Sequence, residues 1–99
     1  MSDLVPRTRA LALRCLKVAD SLPRKPGAIA IAHQLARSGT STAANYRAAQ
    51  KARSKAEFKA KLQIAMEEAD ETQFWLGLAA ETGYLPSELL HSLIQDRVN

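Results

Sequence analysis

Phe58, Leu62, Ala65, Ala69, Thr72, Leu76 and Ala79 recur at alternating four- and three-residue spacing along one stretch of the chain. That period fits one face of an α-helix and fits no strand, whose side chains alternate with a period of two. It predicts a helix of roughly 28 residues, on the order of 42 Å long. Its ends are marked as well. Ser54 and Glu57 form S-K-A-E, a capping box in which each side chain satisfies the other residue's free amide. Gly83 is suited to the left-handed C-cap.

The rest of the chain reads as helices around this rod. Ninety-nine residues make one domain, 1–99. Helix formers dominate, and runs of β-branched residues and Asn-Gly or Asp-Gly hairpin signals are absent. Much of the 46% apolar content is alanine, so the core must be thin and closely spaced. A first helix should start around Pro6 with the stripe Leu11, Cys15, Val18 and Leu22, ending where Pro23, Pro26 and Gly27 make a turn. A second should begin near Ala28 with Ile31, Leu35, Thr42 and Tyr46 facing inward. Within it, Ser38–Thr42 (SGTST) is poor helix by propensity and reads either as a loop or as a bend in one long helix. The unbroken phase of apolar and small positions on both sides favours the single bent helix. A short fourth helix is expected from Pro86 and Ser87, with Leu89, Leu90, Leu93, Ile94 and Val98 on its apolar side. The sequence therefore predicts an all-α, up-down antiparallel four-helix bundle.

Charge is unevenly distributed. Residues 1–63 carry +10 and residues 64–99 carry −6, leaving +4 in total. A basic surface for nucleic acid is one reading, and basic early helices pairing with an acidic later one is the other. The opening MSDLVPRTRA has no long apolar stretch, which points to a cytoplasmic protein without a membrane span. Cys15 is the single cysteine and reads as a small core residue.

Four blocks carry a family resemblance: ARSGTS at 36–41, AANYRAA at 43–49, ARSKAEFKAKL at 52–62 and EEADETQFWL at 67–76. Together they resemble the four-helix-bundle proteins of the ribosomal-RNA intervening-sequence family, from about Thr8 to His91. A related branch comprises accessory proteins of diversity-generating retroelements. The resemblance implies a ring-like homopentamer with no enzymatic activity, and no cofactor is expected. In the retroelement branch it implies a basic surface that binds nucleic acid and a reverse transcriptase partner. This chain reaches only Asn99, short of where the family's fourth helix normally ends, so part of the groove between the first three helices is expected to be uncovered.

The candidate nucleic-acid-binding residues are Arg14, Lys17, Arg47, Lys51, Arg53, Lys55 and Lys59, drawn from thirteen basic residues in the first 63. Such donors give salt-sensitive, largely sequence-neutral affinity for phosphates, while a solvated bundle exterior is the plainer reading. Arg37, Asn45, Tyr46, Glu68, Glu71 and Trp75 are candidates for structure or interface. Arg37 and Arg47 are placed to meet Glu68 or Glu71 as bidentate pairs. Glu88 and His91 form one Glu-x-x-His, whereas a di-metal bundle needs two, so no metal is expected. Ser38, Thr40 and Ser41 lie in no nucleophile motif, and no catalytic residue is assigned. A protein-interaction scaffold without nucleic-acid affinity is the alternative function.

Overall fold

The computed structural model describes residues 4–85, which form three helices: α1 (Leu4–Ser21), α2 (Pro26–Gln50) and α3 (Lys55–Thr82). The described residues contain no strand. The structure thus shows an all-α arrangement of three helices rather than a four-helix bundle, and the expected helix from Pro86 to Val98 lies outside the described residues. Two pairs of contacts fix the topology. Cys15 lies against Gly39 while Thr8 shares a cleft with Tyr46, so residue numbers fall on α1 as they rise on α2. Ser38 meets Thr72 while Gly27 lies beside Tyr84, giving the same relation between α2 and α3. All three helices therefore run antiparallel to their neighbours in sequence. α2 packs against both others, and α1 and α3 meet only slightly.

Local chemistry explains most helix ends. Pro26 is the first residue of α2, where a missing amide hydrogen costs nothing, so this helix starts two residues before the expected Ala28. Gly27 accordingly belongs to the helix and not to the turn. Gly83 closes α3 at φ 75°, a left-handed conformation that glycine adopts without steric cost. At the start of α3 the Glu57 amide donates to Ser54 Oγ at 3.0 Å, as the capping box requires. The reciprocal bond is shifted by one residue: Glu57 Oε1 accepts from the Arg53 amide at 2.7 Å instead of from Ser54.

α2 is one uninterrupted helix of 25 residues, and SGTST lies inside it. Burial overrides propensity here, since Ser38, Gly39 and Thr42 are all buried against the neighbouring helices. The two threonine hydroxyls are satisfied within the helix. Thr42 Oγ1 donates to the Ser38 carbonyl and Thr40 Oγ1 to the Ala36 carbonyl, both at 2.8 Å.

The core is a single cluster built on Leu11, Cys15, Val18, Ile31, Leu35 and Leu76, with Ala28 and Ala79 filling the narrow gaps. Among the described residues no buried side-chain nitrogen or oxygen lacks a partner. The α3 stripe is only partly buried. Ala65, Thr72, Leu76 and Ala79 are buried, but Phe58, Leu62 and Ala69 keep intermediate exposure. At that end an apolar cleft of about 270 Å³ opens between the helices, lined by Leu4, Thr8, Tyr46, Leu62, Ala65 and Met66.

Candidate nucleic-acid interface

Antiparallel packing brings the start of α1, the end of α2 and the start of α3 to the same end of the molecule. That end carries Arg7 and Arg9 from α1, Arg47 from α2, Lys51 and Arg53 from the turn, and Lys55, Lys59 and Lys61 from α3. All are exposed except Lys61, which is half-buried. Among the described residues Glu57 is the one carboxylate there, and one of its oxygens holds the Arg53 amide. Two helix N-termini, those of α1 and α3, add their positive dipole ends to the same region. The turn itself is short and fixed: the Lys51 and Ala52 amides donate to the Ala48 and Ala49 carbonyls, each at 3.1 Å. A concentration of donors on a fixed turn is what non-specific phosphate binding requires.

Five of the seven candidate residues meet here: Arg47, Lys51, Arg53, Lys55 and Lys59. Arg14 and Lys17 do not. They stand roughly 10 to 15 Å further along α1 from Arg7, at 1.5 Å per residue, level with the Cys15–Gly39 contact. Arg7, Arg9 and Lys61 complete the cluster. The signal that finds them is the antiparallel register, which a list of basic residues does not contain.

The candidates for structure form a second group on the α2–α3 flank. Arg37 Nη1 donates to Glu68 Oε1 at 2.8 Å, Nη2 donates to Glu71 Oε2, and Nε donates to Gln34 Oε1 at 3.0 Å. Trp75 Nε1 donates to the same Glu71 oxygen at 3.0 Å. Glu71 is held below the usual carboxylate range, first by the Trp75 hydrogen bond and then by Arg37. The Arg37 guanidinium is shifted upward by the hydrogen bonds from Glu71 and Glu68. Asn45 bonds within its own helix, its Nδ2 donating to the Ser41 carbonyl at 2.9 Å and lying 3.0 Å from Ser41 Oγ. Tyr46 is buried beside the cleft. Arg47 does not reach Glu68 or Glu71. It lies ten residues after Arg37, roughly 80° back around the helix at 100° per residue, and faces the α1 side beside Val5 and Arg9.

Two features complete the geometry. No helix among the described residues is long and apolar enough to cross a membrane. Glu88 and His91 lie outside the described residues.

The model of the 23S rRNA-intervening sequence protein family matches residues 2–98. The chain belongs to that family. Among solved structures, this member of the 23S rRNA-intervening sequence proteins is similar to a protein of unknown function from the S23 ribosomal protein family of Bacteroides thetaiotaomicron. The TM-score is 0.89 at 34% identity, over 97% of this chain and 89% of that one. No curated protein matches the sequence.

Proposed function

We propose that this protein binds RNA or DNA through the basic end formed by Arg7, Arg9, Arg47, Lys51, Arg53, Lys55 and Lys59, without base-specific readout and without catalysing a reaction. The observation that carries this reading is the meeting of three chain segments at one end, where these seven cations and the half-buried Lys61 face one described carboxylate. The geometry suits phosphates and not bases: the donors are long, flexible and spread over a turn and the helix ends beside it, with no exposed aromatic among them to stack on. Self-assembly would multiply the contact by presenting several basic ends to one strand. The family resemblance supports a homopentamer and, in the retroelement branch, a role as adaptor to a reverse transcriptase.

Fluorescence titration with generic RNA and with single-stranded DNA tests the reading. About six phosphate contacts predict a loss of affinity on the order of 10³-fold between about 50 and about 200 mM salt. The K55E/K59E variant should bind more weakly at every salt concentration and show a shallower slope. Absence of binding by the wild-type chain at low salt overturns the proposal.

A protein scaffold is the second reading. The observation in its favour is the exposed apolar surface away from the basic end, at Leu13, Leu16, Ile29 and Phe74.

A further inference from the structure

α1 and α3 meet only slightly, and at the basic end the apolar cleft of about 270 Å³ opens between the helices. Thr8, Thr42 and Tyr46 line it from α1 and α2, and Leu62, Met66 and Ala69 line it from α3. Both threonine donors are spent within their own helices: Thr8 Oγ1 donates to the Val5 carbonyl at 3.1 Å and Thr42 Oγ1 to the Ser38 carbonyl at 2.8 Å. A bound water needs about two to four polar partners, whereas an alkyl chain needs only the lining that is there.

Volume sets the size of the occupant. Drug-sized ligands take pockets of about 300–1,000 Å³, and an apolar cavity of about 150 Å³ already takes up benzene. The cleft lies between the two, room for one short chain and not for a two-chain lipid. Met66, 65% exposed at its edge, is unbranched and adaptable and can lie over such a chain.

Charge sets the direction. Positions 55, 59, 62, 66 and 69 alternate four- and three-residue steps, so Lys55 and Lys59 continue the line of Leu62, Met66 and Ala69 toward the basic end. Lys59 stands about 4.5 Å from Leu62 along the helix axis, and Lys55 about 10 Å. Both are exposed, and neither makes an ion pair among the described residues. The far end is different. Asp70 follows Ala69 there, on an outer groove that it shares with Glu67. A ligand with one apolar and one anionic end fits in one direction only.

We infer that the cleft binds a medium-chain fatty acid, one per chain, with the alkyl chain among Tyr46, Leu62 and Met66 and the carboxylate at Lys59 and Lys55. The site goes beyond the nucleic-acid reading, and its test uses no nucleic acid, so each stands or falls separately.

Calorimetric titration of the full-length chain with hexanoate, octanoate, decanoate and dodecanoate, kept below micelle formation, tests it. Affinity should rise about fourfold per methylene, equivalent to about 0.8 kcal/mol, and level off once the cleft is full. In K55E/K59E decanoate should weaken on the order of tenfold while decanol, which has no charge, binds as before. Ala69→Phe places a ring in the cleft and should abolish uptake of both, with folding checked by circular dichroism. Nuclear Overhauser contacts from the alkyl chain to the Tyr46 ring and the Met66 methyl should place the ligand in the wild type without any variant. No saturable heat from decanoate, affinity that climbs with chain length without a plateau, undiminished binding in folded A69F, or contacts confined to other residues would each overturn the inference. A cleft taken by residues 86–99 or by a second copy would give the first of these outcomes. Equal loss of decanoate and decanol in K55E/K59E, or loss of neither, would overturn the position of the head group.

Discussion

α2 is gripped on its two sides by different means. Against α1 the fit is one of shape: a Cβ placed on Gly39 would lie 2.7 Å from both Cβ and Sγ of Cys15, so the backbones meet where glycine leaves room. Against α3 a polar contact is added to the apolar packing of Leu76 and Ala79. The Ser38 and Thr72 hydroxyls meet 2.9 Å apart at full burial, and at the rim Arg37 joins Glu68 and Glu71. A steric lock fails when something is added, and a polar lock fails when one partner is taken away. The helix between them is registered twice, by independent physics.

The largest expected effect removes what both sides share. Leu35 is wholly buried in the common cluster, and Leu35→Ala should cost about 2–5 kcal/mol in chemical denaturation. Gly39→Ala comes next and acts on the α1 side alone. The added methyl has nowhere to go unless α1 shifts, which should cost about 1–3 kcal/mol, a loss offset in part by alanine's better helix propensity. Combining it with Cys15→Gly should recover part of the loss, and a purely additive double variant would count against the steric account. Thr72→Val tests the α3 side. It strips the buried Ser38 hydroxyl of its partner on α3 and should cost about 1–2 kcal/mol, whereas Ser38→Ala with Thr72→Val should cost less than the two single changes together.

The smallest effect belongs to the rim. Glu71 titrates below its ordinary range in the folded protein, so its contribution is present above the unfolded carboxylate pKa and is lost as pH falls through the lower folded one. Glu71→Gln should therefore leave a flatter melting-temperature profile on the acid side and change little at strongly acidic pH. An unchanged acid limb would show that the rim pairs add nothing to the polar lock. The side chains are largely solvated, and the effect is expected to be the weakest of the four.

How much of this was legible in the sequence follows the same division. Contacts within one helix or along one face could be read directly. The 4-3 repeat gave the span of α3, Gly83 gave its end, and the pairing of Arg37 with Glu68 and Glu71 followed from facing positions. Contacts that depend on how far a helix is rotated could not. Arg47 was placed with Arg37 and turns instead to α1, and Phe58 and Leu62 share the stripe's phase yet keep intermediate exposure at the open end. SGTST looks unfavourable residue by residue, because propensity scales describe an isolated helix and these side chains are enclosed by two neighbours. The basic end was half legible. Charge bias gave the residues, but only antiparallel register places Arg7 and Arg9 near Lys55 and Lys59.

The close approach at Gly39 has a practical outcome for anyone tagging the molecule. Cys15 is fully enclosed there, and burial pushes its thiol up to about 11, so at neutral pH it offers maleimides almost no nucleophile. A reporter cysteine introduced on the surface can then be conjugated selectively in the natural background, with no need to engineer the native thiol away.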